Sequence, residues 1–205
     1  PTTSSYSAYR LTKEGLPGAL IIDSPALPTA KDIGDLATNA LAADMVLWVS
    51  AANQAAREID RQAIAALKQQ FESDPRRQKP PLVLVLTHID RLRPFDEWSP
   101  PYDLTDRNRA KSNSIRSAVE AASADLGFDT DDVVPVRVDN PSAAYNIDAL
   151  WGKIIAFAPD AQRSRLLRLL SSIKSASSWG TVWSQAANAG RIFRRPFLSR
   201  DPPQA

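Results

Sequence analysis

Pro81-Leu82-Val83-Leu84-Val85-Leu86 contains no polar side chain, and it breaks abruptly into Thr87-His88-Ile89-Asp90. A continuous apolar run of strand length fits a strand buried on both faces, as in a parallel sheet covered by helices. The polar residues at its end carry a second meaning. In open α/β sheets, ligands sit beyond the carboxyl ends of the strands. Thr87 and Asp90 therefore stand where a ligand is expected.

The neighbouring segments support such a sheet. Residues 6–13 read as a strand, with Tyr9 and Leu11 on one face. Glu14-Gly15-Leu16-Pro17-Gly18 has turn chemistry, and Ala19-Leu20-Ile21-Ile22 is a short buried strand stopped at Asp23-Ser24-Pro25. Ile33, Leu36, Ala37, Ala40 and Leu41 recur at helical spacing, and Met45-Val46-Leu47-Trp48-Val49 is a further buried strand. A helix ending near Phe71 leads back to the opening strand. Residues 91–103 hold three prolines and several aromatics, which marks a shaped loop, fitted either for packing or for covering a ligand or partner. Thr105-Asp106 can cap a helix that Gly127 ends. Residues 133–138 form a strand whose Pro135 suits a sheet edge, and residues 146–157 form a helix. A hairpin followed by alternating helices and strands implies an α/β sheet.

Composition narrows the chemistry. The chain has no cysteine, so disulfides and thiolate metal sites are excluded, and its one histidine, His88, cannot build a multi-histidine zinc site. Charge is uneven: eight of the 25 basic residues and two of the 23 acidic ones lie in 160–205, leaving 17 basic and 21 acidic in 1–159. A basic tail on an acidic body suggests an anionic partner surface, or a solvated basic face. Asp160 can cap a tail helix carrying Leu166, Leu169, Leu170, Ile173, Trp179 and Trp183 as its stripe.

Two strand ends carry the candidate site. A strand ending in Asp23 has the Walker B pattern, in which the carboxylate holds Mg²⁺, or else Asp23 simply caps a helix. At the second, the Asp90 carboxylate can accept hydrogen bonds from guanine N1–H and the exocyclic amine, a pair that adenine cannot offer. The plainer alternative is a satisfied histidine at a strand end. The order is a Thr loop, hairpin, Asp23-Ser24-Pro25-Ala26, helix, strand, helix, Thr87-His88-Ile89-Asp90, helix, strand, helix. In this order the chain resembles the Era-like P-loop GTPases of the translation-factor-related class, of the ribosome-binding type, over residues 1–158.

The resemblance implies a three-layer P-loop NTPase-type α/β fold. Its sheet is mostly parallel with one antiparallel edge hairpin. It lacks the first strand, which belongs between the strands at 19–22 and 45–49. Residues 159–195 are a basic amphipathic helical extension, and 196–205 a disordered tail. The implied ligands are GTP or GDP and Mg²⁺. Thr87, His88 and Asp90 match the base-reading Asn-Lys-x-Asp or Thr-Lys-x-Asp motif, with the flat His88 ring where a lysine stem lies along the base. Arg137, Val138 and Asp139 occupy the fifth motif, Val138 N–H facing guanine O6. Ala26 stands where a glycine N–H contacts the γ-phosphate. Asp23 and Thr3 match the metal positions, with Thr2 as the second choice for the latter.

No G-x-x-x-x-G-K-[ST] loop is present. The chain opens at Pro1 rather than Met, so that loop is expected upstream, in a longer parent that is a slow GTPase switch. Leu27 stands where many GTPases place a water-orienting glutamine, so no catalytic residue is assigned. A pseudo-GTPase binding or membrane-tethering module is the alternative, and a P-loop ATPase a third. Through 160–195 the expected partner is a protein or an anionic membrane surface. The family adds ribosome or RNA, and a cytoplasmic location that includes the inner face of the membrane.

Overall fold

The computed structural model describes residues 5–13, 16–25, 30–40, 43–73, 79–139 and 143–157. Thr2, Thr3, Ala26, Leu27, the 159–195 extension and the 196–205 tail lie outside the described residues. The elements run β1 (Ser7–Lys13), β2 (Leu16–Asp23), α1 (Ala30–Ala40), β3 (Val46–Ala51), α2 (Glu58–Glu72), β4 (Leu82–Thr87), α3 (Ala110–Leu126), β5 (Val133–Pro135) and α4 (Ile147–Phe157).

The chain is an α/β protein with a three-stranded parallel sheet in the order β3-β4-β5. Parallel neighbours need a crossover rather than a tight turn, and α2 and α3 supply the two crossovers. The β4 side chains alternate between two cores. Leu84 and Leu86 pack with Trp48, Ile64, Ile115 and Ala122, from β3, α2 and α3. Val83 and Val85 pack with Val134, Val136 and Ile147, from β5 and the start of α4. The continuous apolar run is thus explained: each face of β4 meets a different set of helices.

Helical spacing builds these faces. Ile115, Val119, Ala122 and Leu126 of α3 are buried at steps of three and four residues. Gly127 ends α3 in the left-handed region at φ 68°, its N–H and that of Phe128 bonding to the Ser123 carbonyl. Pro135 lies in β5, which pairs only with β4 among the described residues, and so sits at an edge.

The expected antiparallel hairpin is present: β1 and β2 form their own two-stranded sheet, with no described strand joining β2 to β3. One expectation is corrected. Thr105 and Asp106 do not cap α3, whose first turn follows an extended Arg109. Asp103 instead accepts from the N–H and the hydroxyl of Thr105, and Asp106 accepts from Asn108 N–H. Such local side-chain bonds favour turns over a helix start.

Candidate functional site at the carboxyl end of β4

Thr87, the last residue of β4, is buried, and its hydroxyl donates to the Ser50 carbonyl of β3 at 3.2 Å. The same oxygen lies 2.9 Å from His88 Nδ1. A hydroxyl carries one proton. With that proton directed to Ser50, Nδ1 is the donor to Thr87, and Nε2 of a neutral ring is left as an acceptor. Thr87 therefore ties two strand ends together. His88 then turns the chain through the left-handed region at φ 58°. A single helical turn follows, Ile89–Arg91, anchored by the fully buried Ile89.

This turn sets Asp90 between β4 and β5. Its side chain is 15% exposed, and Oδ2 lies 3.9 Å from Arg137 Nε. Arg137 is held more closely by Asp139, at 2.7 Å. Oδ1 of Asp90 is buried and has no hydrogen-bond partner among the described residues. A buried carboxylate oxygen without a donor is costly, and here it sits at a strand end, where α/β proteins bind ligands.

The loop beyond Asp90 is built around Lys111. This α3 lysine is fully buried, and its ammonium donates to the carbonyls of Asp90, Leu92 and Pro94 at 2.7, 2.5 and 3.0 Å. Burial pushes its pKa down, while the charges of Asp90, Glu97 and Asp96 act in the opposite direction. Further along, Trp98, Tyr102 and Tyr145 form a mutual cluster with ring centroids 5.4 to 6.0 Å apart. Tyr102 N–H donates to the Tyr145 hydroxyl at 2.9 Å, and the Arg109 guanidinium lies 4.4 Å over the Tyr102 ring. Arg137 connects this cluster to Asp90, its guanidinium 5.1 Å over the Trp98 ring.

The fold thus brings Thr87, His88, Asp90 and Arg137 together. Val138 is partly buried beside them, packed against the β4–β5 face of the core. Asp23 is elsewhere, half-buried at the end of β2 in the separate hairpin. Among the described residues no group of three or more His, Asp or Glu side chains could hold a metal ion. Thr3, the other expected metal position, lies outside the described residues. Also among the described residues, no helix is long and apolar enough to cross a membrane.

Lys111 and the Trp98–Tyr102–Tyr145 cluster were not recognised from the sequence as organisers of this end of the sheet. A lone lysine in an amphipathic helix carries no signal of burial. Tyr145 is remote in sequence from the two aromatics it meets. No protein-family model matches the chain, and no curated protein matches it closely enough to count as a relative.

Proposed function

We propose that the carboxyl end of β4 reads a guanine base through Asp90, as part of a GTP-binding switch of the Era-like type on a P-loop-like sheet. The observation that carries this reading is the buried, unpartnered Oδ1 of Asp90. Guanine N1–H and the exocyclic amine are a matched pair of donors for one carboxylate, and a site left with unpaired polar groups discriminates strongly against ligands that lack the match. Oδ1 has no access to solvent, so base entry requires Asp90 to part from Arg137. The tighter pairing of Arg137 with Asp139 gives that guanidinium another place to stay.

His88 would lie along the base, and Thr87 acts through the strand ends it joins. Val138 N–H is assigned to guanine O6 by its place after β5. Asp23 is assigned to Mg²⁺ and Ala26 to the γ-phosphate on the resemblance alone, and no step of hydrolysis is derived through them. The second reading is a binding module without hydrolysis, since Leu27 stands where many GTPases place a water-orienting glutamine.

The test is base preference in the longest available chain. Wild type should prefer GTP over XTP and ATP. Asp90→Asn should reverse the preference toward XTP by at least about tenfold, the worth of one charge-assisted hydrogen bond. Binding that is indifferent to Asp90→Asn removes base reading at Asp90. GTP binding that follows Asp90 without any turnover selects the second reading.

A further inference from the structure

The loop after β4 has two faces. Asp90, Trp98 and the carbonyls around Lys111 belong to the one already described. Arg91, Arg93 and Phe95 line a cavity of about 540 Å³ on the other, completed by Arg57 with the turn before α2 and by Ala118 and Ala121 of α3. Among the described residues no carboxylate lines this groove, although residues 1–159 carry more acidic than basic side chains. Three arginines line this one cavity.

Their states differ in a useful way. Arg57 is buried and its charge is matched by Asp125 at 3.1 Å, so it shapes the groove while Arg91 and Arg93 supply the free charge. Arg91 and Arg93 are exposed, and neither forms an ion pair among the described residues. Beside them Phe95 is 68% exposed, the most exposed large apolar side chain among the described residues, with the Arg93 guanidinium 5.7 Å over its ring. An aromatic ring standing in water next to unpaired guanidinium groups, over a lining of small alanines, has the composition of a recognition surface rather than of a solvated face.

We propose that this groove docks a short acidic peptide segment of a partner protein. Its carboxylates would be taken by Arg91 and Arg93, whose forked donors match a carboxylate. An apolar side chain of the peptide would lie on Phe95 and the alanines. Charge complementarity selects this occupant over a long polyanion. A nucleic acid or lipid surface extends beyond the groove and meets the acidic body, whereas a short peptide meets only the arginines. The proposal is independent of guanine reading, because it uses neither Asp90 nor the strand ends.

The experiment uses the full chain and a fluorescein-labelled peptide of alternating Glu and Leu, followed by fluorescence anisotropy. The basic 160–205 segment is the obvious competitor, so a tail variant is part of the design. Binding should weaken as salt rises. Arg91→Glu/Arg93→Glu should lower affinity about tenfold or more, Phe95→Ala about threefold, and Arg194→Glu/Arg195→Glu less than about twofold. Exposed arginines are not needed for folding, and matching far-UV circular dichroism checks this. As a second readout, the peptide should protect 52–57 and 91–95 from amide hydrogen exchange. Three results would overturn the proposal: no peptide binding, loss of binding with the tail variant alone, or protection confined to 160–205. So would an oligonucleotide or a phosphatidylserine vesicle that binds more tightly than the peptide and loses affinity in the Arg91/Arg93 variant.

Discussion

β2 and β4 share a pattern in sequence and are opposites in burial. Both are aliphatic runs that end in an aspartate, directly at Asp23 or after a short turn at Asp90. Leu20, Ile21 and Ile22 of β2 are 56, 45 and 56% exposed, whereas Val83, Leu84 and Leu86 of β4 are at 0%. The difference lies in their neighbours. β4 has a strand on each side and helices on both faces, and β2 has only β1 among the described residues. β3 stands between the two extremes. Its Trp48 is buried against α2 and α3, while Leu47 and Val49 on its opposite face are exposed. Apolar exposure therefore rises from β4 through β3 to β2. An apolar run states that a strand needs cover; only its partners decide whether it gets it.

The comparison breaks if β2 and β4 respond alike to truncation. Leu84→Ala should cost about 3 kcal/mol, within the range for buried leucines, and Ile22→Ala less than about 1 kcal/mol. Urea midpoints of the full chain at constant slope measure both. Equal costs would show that β2 is covered in solution. A smaller effect is expected at the organising lysine. Lys111→Met keeps a long unbranched side chain but deprives three part-buried carbonyls of this donor, and should cost about 2 kcal/mol or more. Lys79→Met removes only an exposed pair with Glu72 and should stay within about 0.5 kcal/mol. Faster amide exchange over 91–103 in the Lys111 variant would locate the loss in the loop. An unchanged loop would mean that Trp98 and the tyrosines hold it unaided.

Much of this architecture was legible because it rests on local rules. Consecutive Leu and Val in β4, three- and four-residue steps in α3, and Gly127 at its end each point to one structure on their own. The two aspartates were legible as strand ends for the same reason. What was hidden depends on partners distant in the chain. Nothing within 19–22 distinguishes a strand with one neighbour from a strand with two. Thr105 and Asp106 carry the same cap chemistry whether they start a helix or close turns, and here the turns win. At the site, the position of Asp90 could be read, but its orphaned Oδ1 could not. Arg137, which follows α3 in the chain, faces Oδ2, and Lys111 hydrogen-bonds the backbone carbonyl of Asp90 while meeting its carboxylate only through charge.

The smallest expected effect tests a polar tie on the covered face of β3. Ser50 Oγ donates to Asp60 Oδ2 of α2 at 3.2 Å. Burial raises the Asp60 pKa above its ordinary value of 3.8, although the Ser50 hydrogen bond and the charge of Arg57 pull it down. The folded protein then holds the Asp60 proton at pH values where the unfolded chain has released it. This contribution to stability is fully present below the unfolded pKa and fades as pH rises through the folded one. Asp60→Asn keeps a carbonyl oxygen for Ser50 and cannot titrate. Relative to wild type it should thus gain stability between acidic and neutral pH, within about 0.5 kcal/mol because water screens a half-exposed carboxylate. Thermal midpoints of the two proteins, compared from pH 3 upward, should separate in that direction. A difference that stays flat would mean that Asp60 is as solvated as a surface carboxylate. The cover on β3 would then rest on apolar packing around Trp48 and on the Ser50 hydrogen bonds, without a titrating group.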